Sequence, residues 1–263
     1  MLEFIENVDP IWFSLGPLIV INVIALVTVL TFIPLYKRRP LGYYKEKYHS
    51  RFLNQWFKEY WLWIASPAEK LALRLKLTPN MLTLIGFLIS ILSAYFFHLG
   101  RLGIAGWLMI FGASFDMLDG RVARLTNQST QSGAFFDSIM DRFGESIVYI
   151  GIASYFRDSW MMYVVLLVMA GAMMVSYTRA RGQGVGIDCS RGSMQRPERV
   201  VYLSVSSIFA PVFDRVFAFV PYWPQWALFI AALIFMAIMT NATAIYRAVY
   251  IIRTLDEKSV RGQ

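Results

Sequence analysis

A run of apolar residues from Trp12 to Leu35 is as long as a helix needs to be to cross a bilayer, and stretches of similar character recur along the chain. At about 1.5 Å rise per residue, roughly 20 apolar residues cover the ~30 Å of bilayer hydrocarbon. With 57% hydrophobic and only 16% charged residues, the 263-residue chain does not read as a water-soluble domain. A polytopic all-α membrane protein is the expectation. The first apolar segment follows Glu3, Glu6 and Asp9 instead of a basic region, so it is expected to persist as a span and not to act as a cleaved signal. The net charge of +8 does not point to nucleic acid, because the basic residues lie between apolar segments; membrane lipids and anionic substrates are the expected partners. The single cysteine, Cys189, excludes an intrachain disulfide and a cysteine-based zinc site.

Seven membrane helices are expected, near 12–35, 79–97, 104–124, 132–155, 160–177, 200–219 and 226–246. Between the first two, Phe52, Leu53, Trp56, Phe57, Tyr60, Trp61 and Ile64 recur at helical spacing among polar residues, which predicts an amphipathic helix in the interface. Ser66-Pro67-Ala68-Glu69 reads as a capping box that starts a separate short helix, and Thr78-Pro79-Asn80 reads as the start of the next span. With the N-terminus outside, the segments 37–78, 121–142, 178–199 and 247–263 fall inside and hold 22 of the 25 Lys and Arg. That asymmetry predicts a multi-pass protein of the cell's inner membrane whose polar segments share the cytoplasmic face. The organisation expected is an N-terminal span and interfacial helix over 1–64, a membrane domain over 65–255 and a cytoplasmic tail over 256–263.

The most informative segment is Asp116-Met-Leu-Asp119-Gly120-Arg-Val-Ala123-Arg124, eight residues, then Gly133-Ala-Phe-Phe-Asp137-Ser-Ile-Met-Asp141. Asp116 and Asp119 are three apart, Asp137 and Asp141 four apart, so each pair projects from one helix face and two neighbouring helices can converge four carboxylates. Like charges a few Å apart near membrane depth repel and need cations between them. An all-oxygen ligand set suits Mg²⁺ or Mn²⁺ and disfavours zinc or copper. The plainer alternative is a set of helix-end charges paired with Arg121, Arg124 and Arg142. It fits one aspartate better than four at this spacing. A carboxylate-bound metal pair is suited to phosphoryl chemistry, and Gly120, Ala123 and Gly133 are small where the helices are expected to meet, which would let backbones approach and leave room for a substrate. A competing class is a Mg²⁺ transporter or channel with intramembrane carboxylates along an ion path.

The pattern Asp-x-x-Asp-Gly-x-x-Ala-Arg, eight residues, Gly-x-x-x-Asp-x-x-x-Asp resembles the signature of the CDP-alcohol phosphotransferases at every fixed position, and Thr78-Pro79-Asn80 with Thr83 and Gly86 resembles the start of their first core helix. The resemblance covers roughly 65–255 and implies a six-helix core. It leaves the N-terminal span and interfacial helix as additions. It implies transfer from CDP-diacylglycerol or a related CDP-lipid to an alcohol, with release of CMP. On this chain it implies two Mg²⁺ or Mn²⁺ ions per active site, one held by Asp116, Asp119 and Asp137, with Asp141 helping to bind the second and serving as general base. It implies a nucleotide pocket of Asn80, Thr83, Asp116, Asp119, Gly120, Ala123, Arg124, Gly133 and Asp137. It also implies a homodimer.

A second segment, Ser176-Tyr177-Thr-Arg179-Ala180-Arg181 followed by Gln195-Arg196-Pro197-Glu198-Arg199, places arginines on the same side as the aspartates. Arginine forks bind phosphate bidentately, so a small polar acceptor that itself carries phosphate is plausible, although positive-inside topology alone accounts for any one of them. The segment resembles the phosphatidylinositol-phosphate synthase branch of the family, which implies an acceptor site at Arg179, Arg199 and Arg247. Arg179 in place of lysine and Gly182-Gln183 in place of Ala-Glu depart from that branch. Inositol phosphate is the favoured acceptor; glycerol phosphate or another alcohol stays open.

Overall fold

A computed structural model describes residues 9–38, 55–189 and 192–260, and these form helices joined by short turns. In chain order they are α1 (Pro10–Arg38), α2 (Gln55–Arg74), α3 (Pro79–His98), α4 (Leu102–Leu125), α5 (Gln131–Tyr155), α6 (Met161–Gly184), α7 (Arg196–Val216) and α8 (Ala227–Val260). Local chemistry sets several of the ends. Thr78 caps α3 by accepting from Met81 N at 3.3 Å, with Pro79 at the first helical position. At the other end of α3, Gly100 takes φ +70°, and a Cβ there would stand 2.6 Å from the Tyr155 ring. Glycine is the residue that the turn accommodates.

Helices α3 to α8 close into a ring in which each packs on two neighbours, in the order α3, α4, α7, α8, α6, α5 and back to α3. Consecutive helices α4 and α5 are thus not packed along each other; both lie against α3, and a space opens between them. One half of the ring interior is apolar, filled by Phe97, Leu102, Tyr149, Ile152, Val165, Leu203, Phe229 and Leu233. The other half, at the C-terminal ends of α4, α6 and α8 and the N-terminal ends of α5 and α7, carries the aspartates and arginines. Glycines let the backbones approach: a Cβ on Gly106 would lie 2.8 Å from Ser204 O, and one on Gly151 would lie 2.8 Å from Ala94 Cα.

Five helices, α1, α3, α4, α6 and α8, are long and apolar enough to cross a membrane. The other two expected spans, α5 and α7, have the length, at 25 and 21 residues, but carry charged and hydroxyl groups that they turn into the ring. The buried Ser204, Ser206 and Ser207 donate back to carbonyls three or four residues earlier at 2.7, 3.2 and 2.9 Å. Their polarity is satisfied inside the helix, and a ring position hides it from lipid.

The expected break at Ser66-Pro67 does not occur. Helix α2 runs through it, and Glu69 is not a capping residue but the ion-pair partner of Arg121 on α4. The reason is local: Pro67 has no N–H for the Trp63 carbonyl one turn earlier, and the Ser66 hydroxyl donates to that carbonyl at 2.9 Å. The interfacial helix and the short helix are therefore one, and residues 52–54 of the expected segment lie outside the described residues. Helix α1 leans on α4 and α7 from outside the ring and meets α2 through Phe32, packed edge-on to Trp56 and Tyr60. The expected tail at 256–263 continues α8 as helix as far as Val260.

Candidate active site

The space between α4 and α5 is lined by carboxylates from both. One oxygen each from Asp116, Asp119 and Asp137 lies within 4.8 Å of the others. Asp119 is 6% exposed, and its Oδ2 is 2.5 Å from the Thr83 hydroxyl, which is also 3.1 Å from Pro79 O. The hydroxyl has one proton, and the charged partner at the shorter distance is the one it serves. Asp137 Oδ1 is buried and has no hydrogen-bond partner. Three converging anionic oxygens, with an orphaned buried acceptor on one of the three residues and no imidazole or thiolate among them, fit a hard divalent cation such as Mg²⁺ or Mn²⁺.

Asp141 does not join this convergence, so the four expected together divide into three and one. Its Oδ1 pairs with Arg196 Nη2 at 2.6 Å, while Arg196 Nη1 pairs with Asp116 Oδ2 at 2.8 Å. Arg196 reaches from α7 across the ring and bridges α4 to α5. The plainer alternative for the aspartates named other partners. Arg121 turns to Glu69, and Arg142 lies 3.8 Å from Glu145, so neither neutralises the cluster.

On one side of the triad a cavity of about 400 Å³ is lined by Asn80, Thr83, Asp119, Gly120, Ala123, Arg124, Gly133 and Asp137, together with Gln128, Ser129 and Thr130 of the α4–α5 turn. All the residues expected at a nucleotide site thus share one wall except Asp116, which faces a smaller enclosed pocket beside Ser90, Gly144 and Arg196. The eight-residue spacer makes this possible: Asn127 turns the chain at φ +54°, and Thr130 caps α5 by accepting from Gly133 N at 3.0 Å. Gly120, Ala123 and Gly133 line this cavity, so the second use expected of their small size, room for a substrate, is the one that fits here. A Cβ on Gly120 would meet only the Arg124 guanidinium, at 3.6 Å.

Beyond Arg196 a larger cavity of about 1070 Å³ opens between α5, α6, α7 and α8, with Arg142, Arg179, Arg196, Arg199 and Arg247 on its wall. Three of these were expected there. Arg179 is exposed. Arg199, 1% exposed, gives Nε and Nη2 to Glu145 at 2.6 and 2.8 Å and Nη1 to Met194 O at 2.9 Å. Arg247, 2% exposed, donates to Val175 O at 2.8 Å. Sequence reasoning placed Arg196 in the arginine segment suited to a phosphate but not on the aspartates, and it missed Arg142 and Glu145 as members of the site. Glu145 extends the Asp137, Asp141 series by another four residues, and Arg196 precedes Arg199 by three, so helical spacing was the available signal. Arg142, which also lines this cavity, has its Nη1 buried without a hydrogen-bond acceptor, 3.8 Å from Glu145 Oε2.

Known proteins share both the sequence pattern and the fold. Archaetidylinositol phosphate synthase of Pyrococcus horikoshii is 36% identical over 153 residues, covering 57% of this chain and 80% of that one. Phosphatidylinositol phosphate synthase of Mycobacterium bovis is 32% identical over 182 residues, covering 65% of this chain and 81% of that one. The crystal structure of the Mycobacterium tuberculosis phosphatidylinositol phosphate synthase in complex with manganese and citrate superposes with a TM-score of 0.63 at 25% identity, over 70% of this chain and 87% of that one. The same enzyme with CDP-DAG bound gives 0.61, over 72% and 93% of the two chains. Residues 76–254, which include the whole ring apart from the last turns of α8, match the sequence profile of the CDP-alcohol phosphatidyltransferases. This chain, an integral membrane enzyme, therefore belongs to the CDP-alcohol phosphatidyltransferase family.

Proposed function

We propose that the protein transfers a phosphatidyl group from CDP-diacylglycerol, or the equivalent group from a related CDP-lipid, to a hydroxyl of inositol phosphate, releasing CMP. The carrying observation is the arrangement of two cavities about the pocket that holds Asp116, Asp141 and Arg196, one lined by Asp119 and Asp137 of the carboxylate triad and one by arginines. The inositol-phosphate chemistry named for the archaeal and mycobacterial relatives supports the choice of acceptor. An ion path is disfavoured, because the half of the ring beyond the aspartates is filled by apolar side chains.

In this reading the CDP group occupies the cavity walled by Gly120, Ala123 and Gly133, with Asn80 and Arg124 as polar contacts. Asp116, Asp119 and Asp137 would hold one Mg²⁺ or Mn²⁺, with Asp141 beside a second. Bound there, the cations neutralise the pyrophosphate oxygens and the departing CMP. The acceptor's phosphate would lie among Arg142, Arg179, Arg199 and Arg247, with its hydroxyl reaching past Arg196 and Arg199, which the cavity shares with the pocket of Asp141. Asp141 takes the hydroxyl proton while that oxygen attacks the lipid-side phosphorus. The bond from phosphorus to the CMP oxygen breaks, and CMP leaves. Charge asymmetry of the loops supports an inner-membrane location with the site on the cytoplasmic side. A homodimer is part of the same reading.

The test is CMP release by purified protein with CDP-diacylglycerol and Mg²⁺ or Mn²⁺, with inositol phosphate, inositol, glycerol phosphate or serine added singly. Release that depends on inositol phosphate and vanishes in Asp141→Asn is the expected result. Release with glycerol phosphate instead would keep the chemistry and replace the acceptor. No release with any acceptor would overturn the reading.

A further inference from the structure

Resting on that reading, we infer that Arg196 is a positioning residue that keeps Asp141 engaged until an acceptor phosphate arrives, so that the enzyme transfers to its acceptor instead of hydrolysing its CDP-lipid. Arg196 lies on the wall shared by the arginine-lined cavity and the pocket that holds Asp116 and Asp141. Its two terminal nitrogens are divided between Asp116 at 2.8 Å and Asp141 at 2.6 Å. The oxygen that must accept the hydroxyl proton is therefore paired with a guanidinium.

Its neighbour one turn on, Arg199, has every side-chain nitrogen bonded to Glu145 or Met194 O and is 1% exposed, so it fixes the start of α7 against α5. Arg196 is the movable one of the two, with a side chain 27% exposed toward the cavity. A phosphate there offers Nη2 a second anion of greater charge, and a swing with Nη1 still on Asp116 transfers that nitrogen from Asp141 to the phosphate. Asp141 and the acceptor phosphate thus compete for one guanidinium, and competition of this kind is a coupling free energy that acts in both directions.

Two consequences can be measured. In Arg196→Gln, Asp141 is free without an acceptor, and water can take the acceptor's place. The water oxygen attacks the lipid-side phosphorus, its proton passes to Asp141, the bond to CMP breaks, and phosphatidate and CMP result. CMP release without acceptor, divided by release with inositol phosphate, is expected to rise about tenfold over the wild type. Loss of both activities in parallel, with the ratio unchanged, would mean a structural role only and would overturn the inference. Independently, Asp141→Asn frees Arg196 for phosphate, so inositol phosphate measured by calorimetry without divalent metal should bind several-fold tighter than to the wild type. The gain should be absent in Asp141→Asn with Arg196→Gln. Equal or weaker binding to Asp141→Asn would sink the idea even if the arginine variant failed to fold. A wild type that transfers normally while these tests fail removes this inference alone; a wild type inactive with all acceptors removes the functional reading beneath it.

Discussion

The carboxylate cleft and the arginine cavity face each other across Arg196, yet they handle charge in opposite ways. In the cleft, Asp119 has a hydroxyl partner, Asp116 shares one guanidinium, and Asp137 Oδ1 has nothing, so three acidic groups stand together with little compensation from the protein. In the cavity, the deepest arginines have internal partners: Arg199 places all three side-chain nitrogens on Glu145 and a carbonyl, and Arg247 places its Nη1 on a carbonyl. Charge left uncompensated is what a cation site requires. Arginines fixed by internal partners give a rigid floor for an anion, whose orientation then costs little to impose. The two regions should therefore respond differently to loss of a charge.

The largest effect is expected in the cleft. Asp119→Asn removes a ligand from the triad and should lower kcat/KM by about a thousandfold, in the range of a lost charge-stabilising group. Because it also relieves repulsion among like charges, the thermal midpoint without metal should hold or rise. Added Mn²⁺ should raise that midpoint in the wild type and much less in the variant, since stabilisation by a ligand follows its affinity. A variant that loses stability without metal would break the contrast, because it would mean that the cleft is internally compensated after all.

Glu145→Gln is the matching change in the cavity, and its effect should fall on stability. Arg199 is 1% exposed, and its bidentate carboxylate would be replaced by a neutral amide with one acceptor oxygen, leaving a buried charge without a countercharge. Stranding such a charge costs about 3 kcal/mol, enough to lower the unfolding midpoint by several degrees. Replacing both members, Glu145→Gln with Arg199→Met, should recover part of that loss, which thermal unfolding in detergent would read directly. Full stability of Glu145→Gln would show that the arginine floor is not held as described.

How much of this was legible in the sequence follows from how local each interaction is. The aspartate pairs, the cap at Thr78 and the turn between Arg124 and Gly133 involve residues within one or two helical turns, so spacing reveals them. The contacts that organise the site do not: Arg196 meets Asp116 across 80 residues, and Arg199 meets Glu145 across 54. Nothing in the order of residues says that α7 reaches across a ring to α5, and so Arg196 read as one of several arginines suited to phosphate or topology, with no aspartate partner. The same gap explains Ser66-Pro67, where the residues of a helix start occur inside a helix because a hydroxyl occupies the carbonyl that proline leaves without a partner. It also explains α5 and α7, whose polarity is tolerable only because the other ring helices cover it.

Arg179 sharpens the comparison at its small end. It lines the same cavity as Arg199 and Arg247 but is exposed, where they are buried. Losing it should strand no buried charge, so Arg179→Gln should change the stability by no more than about 0.5 kcal/mol, as for other surface changes. Its positive charge still faces the anion, and one charge-assisted contact of this kind is worth about 1.5 kcal/mol, close to tenfold. The expected result is a KM for inositol phosphate raised by up to about tenfold with kcat nearly unchanged, since a contact made equally in ground and transition states affects binding alone. The effect should shrink as salt is raised, because an exposed charge is screened where a buried one is not. A fall in kcat at unchanged KM would place Arg179 with the reacting groups instead of the acceptor's phosphate, and the division between a chemical cleft and a binding cavity would have to be redrawn around α6.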